Sequence, residues 1–392
     1  MTIRREKIRN GRRPDKIRVP FSRPTITPQS IASYIRLAKV ILKSGRLTLG
    51  EYTLEFERSI ANFVGAKHTI AMNSCTSALF SIAMALGWRA GDEVLVPAVT
   101  FASTANAAIL LGAKPVLVDS DYSSFNMSVE DTARRVTRGK TKAIVVVHLA
   151  GNPVDLRGMS EIAEDSGAML VEDAAHALGS YYDGTHVGTF GAAGAFSFYP
   201  NKIITTGEGG CVTTEDDDLA RKFALIRCVG REGLGPTDVL TFGANFRLSE
   251  LQAALGLVLM KTVRSFLATR KRIAEYYDRE LATMKDLVRT QIIEARSISS
   301  RYAYVVVLEG GIERDKVREQ LLGRYGIETS ILYVPLHMHP YYKQYGMSHE
   351  NLPVADTIGS RSLALPIYGH MTKQQASYVV DSLRQTLGHL AK

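Results

Sequence analysis

The sequence predicts an α/β protein: a mostly parallel central sheet covered by helices, followed by a smaller C-terminal α+β domain. Three observations carry this. Between Thr69 and about Thr214, short apolar runs rich in Val and Ala recur, with helix-like segments between several of them, the alternation that lays helices over a parallel sheet. Acidic or polar residues follow the runs directly at Asp119, His148, Glu172 and Asp173, where open α/β sheets hold their ligands. In the last hundred residues the alternation gives way to a strand, a charged helix and a final helix.

In chain order, Thr27 to Phe63 reads as two helical stretches around turns at Gly45 and Gly50. The predicted strands are Glu93 to Pro97, Pro115 to Val118, Ala143 to His148, Ala168 to Val171 and Gly194 to Phe198, apolar enough for both sheet faces to be buried. Helices are expected at Leu79 to Ala85, Thr104 to Leu111 and Met159 to Ser166. From Arg247 to about Met284 a proline-free, Ala- and Leu-rich segment predicts one or two long helices that serve as a connector. The small domain starts with a strand at Arg301 to Leu308, continues with a helix at Arg314 to Tyr325 and closes with a helix at Thr372 to Leu390. The expected division is a basic leader over residues 1–24, a large cofactor-binding domain over 25–250, a connecting helix over 251–284 and the small domain over 285–392.

A chain of 392 residues has room for two or three domains, and 45% hydrophobic with 22% charged residues excludes a disordered or collagen-like chain. The formal charge of +9 does not imply a nucleic-acid partner. Nine basic residues (Arg4, Arg5, Lys7, Arg9, Arg12, Arg13, Lys16, Arg18, Arg23) face only Glu6 and Asp15 before Pro24, so +7 of the +9 sits in the leader. A solvated or partner-wrapping terminus is the expectation there. Cys75, Cys211 and Cys228 are odd in number and lack metal-ligand or CxxC spacing, and no secretory signal is recognisable, which predicts a reducing cytoplasm. The uncharged window Val94 to Ala113 contains Pro97, Thr100, Ser103, Thr104 and Asn106, so it reads as strand, turn and helix rather than a membrane span.

Among chemical motifs, the glycines at 188, 191 and 194 and at 207, 209 and 210 lack the spacing of a nucleotide-binding loop and read as turns. No G-x-S-x-G elbow is present. His337 and His339 have no helical partner or cysteine beside them, so no metal is expected. Four segments remain. NSCTSA (residues 73–78) follows a short strand and opens an apolar helix, so N–H groups and hydroxyls converge where a phosphate would bind, although a plain N-cap by Ser74 or Thr76 would also explain it. VEDAAHALG places Glu172 and Asp173 beyond a hydrophobic strand with His176 three residues later, and a buried carboxylate there requires a cation. FSFYPNKIITTGEGG carries Lys202 after an aromatic strand, a candidate imine-forming nucleophile. GANFR (residues 243–247) puts polar groups at the start of the long helix, another anion contact. Phe101, in PAVTFAST, is the candidate for stacking on a flat ring. A lysine for an imine, an acid for a pyridinium nitrogen, a phosphate cup and a stacking ring together describe a site for pyridoxal 5'-phosphate.

With these segments, and with GDEVLVPAVTFASTANA, AKPVLVDSD, HLAGNPVD, NFRLSELQAALG, YVPLH and LALPIYGHMT, the chain resembles the DegT-like sugar aminotransferases, fold-type I pyridoxal phosphate enzymes, from about residue 27 to 390. The resemblance implies Lys202 as the Schiff-base lysine, Asp173 on the pyridine nitrogen and His176 near the ring or its phenolic oxygen. Thr76, Ser77 and Ser197 match phosphate contacts, and Asn245 reaches the phosphate from the neighbouring subunit of a homodimer with shared sites. Tyr333 and His337 are candidates to reach the substrate.

The expected activity is transfer of an amino group from L-glutamate or L-glutamine to a keto sugar, most readily a nucleotide-linked one, with a keto-cyclitol or free sugar phosphate as alternative acceptors. A branch of the family that dehydrates deoxysugars has histidine in place of the lysine, and Lys202 argues against it. A non-catalytic regulatory protein on the same fold would not need to retain both Asp173 and Lys202.

Overall fold

The computed structural model describes residues 17–235, 238–345 and 351–390. Residues 1–16, with seven of the leader's nine basic side chains, lie outside the described residues.

Short runs of Val, Leu, Ile and Ala build the central sheet. Its strands are β1 (His68–Met72), β2 (Glu93–Pro97), β3 (Lys114–Val118), β4 (Thr141–Val147) and β5 (Met169–Asp173), and, after a small hairpin of β6 (Tyr181–Tyr182) and β7 (Thr185–His186), β8 (Ala193–Ser197) and β9 (Gly210–Thr214). Their order is β1-β9-β8-β5-β4-β2-β3. The pairs from β3 through β2, β4 and β5 to β8 are parallel, and β9 runs antiparallel between β8 and β1. A sheet of this kind aligns its strand ends along one edge, where Asp173 and Ser197 close β5 and β8. β4 and β9 are buried along nearly their whole length, as expected for a sheet covered on both faces.

The helix expected from Leu79 begins four residues earlier, at Cys75, because the Ser74 hydroxyl accepts the Ser77 N–H at 3.0 Å and caps it. The long segment after Arg247 is two helices, Glu250–Met260 and Val263–Leu281, meeting at a bend of 59°. They are parts of the cores they join rather than a free connector. The first packs on the helices Pro28–Ser44 and Glu51–Val64. The second gives Ile273, Ala274, Tyr277 and Leu281 to a separate C-terminal core. That core lies against an antiparallel sheet of β10 (Val288–Thr290), β12 (Tyr304–Leu308) and β13 (Ser362–Leu365), with a short β11 (Ser297–Ile298) paired to β6 instead. Among the described residues no single helix is long and apolar enough to cross a membrane.

The last leader residues are docked, not solvated. Val19 is buried in the C-terminal core and bridges Ile327, and the Phe21 N–H reaches Glu328 Oε2 at 3.3 Å. An apolar Val and Phe within the basic run supply the burial that holds them. One tie across the fold has no local signal. Helix Glu51–Val64 starts at Gly50 without a side-chain cap, and the buried Glu250 carboxylate accepts the N–H groups of Gly50 (2.9 Å), Tyr52 (3.0 Å) and Thr53 (2.9 Å) and the Thr53 hydroxyl. A carboxylate at a helix N-terminus satisfies orphan donors and complements the dipole.

Candidate active site

A cavity of about 440 Å³ opens at the carboxyl ends of the parallel strands, and its walls include Thr76, Phe101, Asp173, His176, Ser197, Lys202 and Tyr333. One end is the start of helix Cys75–Ala85. Ser74 uses the Ser77 N–H, which leaves the first N–H groups of the helix without an intrahelical acceptor. The Thr76 hydroxyl lies 2.7 Å from that of Ser103, which also lines the cavity. Gly210 lets β9 pass directly under this turn, since a Cβ there would sit 2.5 Å from the Cys75 nitrogen.

Asp173 ends β5 and is buried. Its Oδ2 accepts the Thr104 hydroxyl at 2.8 Å and its Oδ1 the Ala175 N–H at 3.2 Å. Burial raises its carboxyl above the ordinary range, against the opposing pull of these two hydrogen bonds and of the Lys202 charge. No cationic side chain among the described residues forms a salt bridge with it. Its neighbour Glu172 is the opposite case. Burial pushes that carboxyl up, but His148 at 3.1 Å and the N–H groups of Gly188 and Gly191 outweigh this and hold it below the ordinary value. Glu172 is thus consumed by the fold: a Cβ at Gly191 would lie 2.4 Å or so from the Leu170 carbonyl, so glycine lets this loop close on the strand.

His176 is buried, and burial, aided by the Lys202 charge, pushes its pKa well below the usual value, so it is neutral at physiological pH. Its Nδ1 accepts the Ala150 N–H at 3.3 Å, which places the proton on Nε2, 2.9 Å from the Tyr333 hydroxyl. Burial keeps Tyr333 a phenol far above pH 10. Its own proton remains for an acceptor in the cavity. Phe101 is 56% exposed, and its ring lies 6.1 Å from that of Tyr333. Lys202 is half-buried rather than embedded in apolar side chains.

Two residues expected in this cavity lie elsewhere. Ser77 donates its hydroxyl to Asn73 Oδ1 at 2.6 Å and does not line the cavity, because the helix turns it back onto the cap. His337 is also outside the cavity walls. Its Nε2 is 2.7 Å from Asp356 Oδ1 at the start of helix Pro353–Arg361, which turns the ring away. Asn245 is exposed on the chain's own surface, its backbone bridged to Cys228 and its carbonyl accepting from Asn73 at 3.2 Å. Sequence reasoning missed Thr104, Tyr302 and Phe21. Thr104 was legible in the FASTANA segment, whereas nothing local marks Tyr302 or Phe21, which reach the cavity through long-range packing.

The residues present fit pyridoxal 5'-phosphate: an anion-binding helix start, a lysine, a flat aromatic at the mouth, and a buried carboxylate lacking the cation that burial demands. Asn201 Oδ1, in the cavity wall, is buried without a hydrogen-bond partner. Fold and site together define a pyridoxal-phosphate-dependent aminotransferase of fold-type I. The chain belongs to the DegT/DnrJ/EryC1/StrS aminotransferase family, whose sequence pattern it matches over residues 29–384. It is 36% identical over 345 residues to GDP-perosamine synthase of Caulobacter vibrioides, covering 87% of this chain and 91% of that one. Among solved structures it resembles the aminotransferase TlmJ of Streptoalloteichus hindustanus (31% identity, TM-score 0.88, 95% of this chain and 100% of that one). It also resembles the pyridoxal phosphate form of the sugar aminotransferase Spr1654 of Streptococcus pneumoniae, described as putative (28% identity, TM-score 0.87, 95% and 99%).

Proposed function

We propose that this enzyme moves an amino group from L-glutamate or L-glutamine onto a keto sugar carried on a nucleotide, in amino-sugar biosynthesis. The observation that carries the reading is Asp173, a buried carboxylate without a cationic partner, in one cavity with Lys202. The GDP-sugar named for the Caulobacter relative supports the nucleotide-linked acceptor.

Bound pyridoxal phosphate supplies an electron sink that acidifies the donor's α-carbon. Lys202 would hold the cofactor through Nζ and, when free, would serve as the base and acid that moves the proton at the donor's α-carbon. Asp173 supplies the negative charge that keeps the ring nitrogen protonated. The Cys75 and Thr76 N–H groups with the Thr76 and Ser197 hydroxyls hold the phosphate. His176 orients the Tyr333 hydroxyl toward the reacting groups, and Phe101 covers the ring face.

A homodimer completes the site. The segment around residues 229–242 exposes Val229, Leu234, Val239, Leu240 and Phe242, the last 74% exposed, apolar side chains of the kind a protein–protein contact covers. It runs directly into Asn245, which a partner subunit would receive at its cofactor phosphate. Cys75, Cys211 and Cys228 are all free thiols, in keeping with a cytoplasmic enzyme.

The test is a panel of keto acceptors offered with glutamate and glutamine: nucleotide-linked keto sugars, free keto-sugar phosphates and keto-cyclitols. Turnover of a nucleotide-linked member at least tenfold above the others is expected. Equal or better use of a cyclitol would replace the acceptor, and no turnover with any member would remove the reading.

A further inference from the structure

One aromatic ring outside the expected set touches the reacting atom. Lys202 Nζ stands 4.4 Å from the centroid of the Tyr302 ring, well within cation–π range. The same ring stacks on His176 at 4.1 Å and 17°, and Tyr302 is 8% exposed. We propose that Tyr302 is a positioning residue: its ring is the platform on which the Lys202 ammonium rests whenever the lysine is not bonded to the cofactor. This rests on Lys202 being the cofactor lysine.

The fold fixes this ring from several sides. The buried Arg270 donates through Nη1 to the carbonyls of Tyr302 (2.8 Å), Ile367 (3.1 Å) and Arg301 (3.2 Å). Burial pulls that guanidinium down to about 10, so it stays cationic and grips the turn at neutral pH. Ser300 donates its hydroxyl to the His176 carbonyl at 2.8 Å and its N–H to Ser180 Oγ at 3.0 Å. Arg301 sits at φ 50 without being glycine, a conformation kept only where the surroundings over-determine it. Gly151 has φ +87, and a Cβ there would run into Ser300 Oγ. A turn about a hundred residues beyond Lys202 is therefore locked onto the loop that carries His176.

The chemistry explains the choice of partner. No carboxylate among the described residues forms a salt bridge with Lys202. A carboxylate there would bind the ammonium firmly and could take its proton. A π face attracts the charge, cannot accept the proton in transfer, and lets the amine leave when the proton goes to substrate. The attraction corresponds to a factor of about two to thirty in favour of the docked ammonium.

The test compares Tyr302→Leu with Tyr302→Phe, which keeps the ring. In the apoprotein, cyanate labelling of Lys202 is followed by peptide mass spectrometry. It should accelerate by about two- to thirtyfold in the Leu variant, and the Phe variant should return it to within about twofold of wild type. In the loaded enzyme, the single-turnover rate with glutamate should fall about fivefold or more in the Leu variant at an unchanged donor KM, with rescue by Phe. Leu332→Ala, which opens the same cavity without removing the ring, controls for access: if it accelerates labelling as much as Tyr302→Leu, the platform is refuted. Equal defects in Phe and Leu would assign the effect to the hydroxyl and also refute it. Tyr302→Met, similar in length, serves if the Leu variant does not fold. Borohydride labelling on a lysine other than Lys202 would instead overturn the underlying site assignment, which separates the two failures.

Discussion

Asp173→Asn separates folding from catalysis at the same atom. The amide is isosteric, and its oxygen can keep the Ala175 N–H. The new NH₂ then faces Thr104, whose hydroxyl can rotate to donate to Thr100 Oγ1, 2.9 Å away. No buried polar group is stranded. Because burial raises the Asp173 carboxyl in the folded chain, its stabilising contribution belongs to the neutral acid and is lost as pH rises through that raised value. At pH 7.5 the variant apoprotein should therefore be as stable as wild type or more so. Catalysis should move the other way. A carboxylate about 4 Å from a ring cation contributes roughly 4 kcal/mol at an effective dielectric of about 20, which is about a thousandfold in rate. The assays are thermal melting of the apoprotein and stopped-flow reaction of the loaded enzyme with glutamate. A rate within tenfold of wild type, or an apoprotein melting well below wild type, would show that Asp173 is a structural residue and refute the reasoning.

Lys202→Ala should abolish turnover and the visible absorbance of bound cofactor, and borohydride treatment of wild type should add the cofactor mass to the Lys202 peptide. Mixing Lys202→Ala with Asn245→Ala and allowing exchange should restore about a quarter of wild-type activity with limiting cofactor, since about half the dimers are hybrids with one intact site; an activity equal to the parents' average would place both residues in one chain's site. His186, which burial lowers to about 4, contributes stability that is whole above pH 6.5 and is lost as pH falls toward 4, roughly 3 kcal/mol in all. A His186→Gln apoprotein, unfolded in urea from pH 7.5 to 4.5, should lose that part of the slope. Glu250→Ala should cost about 3 kcal/mol or more by stranding the buried donors at the start of helix Glu51–Val64, measured as a lower urea midpoint, and a change below about 1 kcal/mol would mean water replaces the cap.

The five parallel strands of the central sheet were readable because each is an apolar run ended by its own punctuation, so Glu93–Pro97 appears in the structure with the bounds its sequence suggests, whereas the antiparallel β9, with a glycine and two threonines, was not. That Lys202, Asp173 and His176 line one cavity was readable for a related reason: strand ends fix where the residues there and just beyond them point. Residues 73–78 announced a helix start, but the Ser77 hydroxyl could serve either the cap or a ligand, and only the folded turn committed it to Asn73. His337 depended in the same way on a helix nineteen residues further along. What the sequence determined by itself was the alternation of strand and helix and the residue types gathered at the site, because these follow from periodicity and side-chain type over a few residues. Tyr302 under Lys202, Arg270 behind Tyr302 and Glu250 at the start of a helix two hundred residues earlier were decided by the tertiary structure. Each is a contact between segments far apart in the chain, made where a buried charge or ring must find a partner, and no local pattern records which partner it finds.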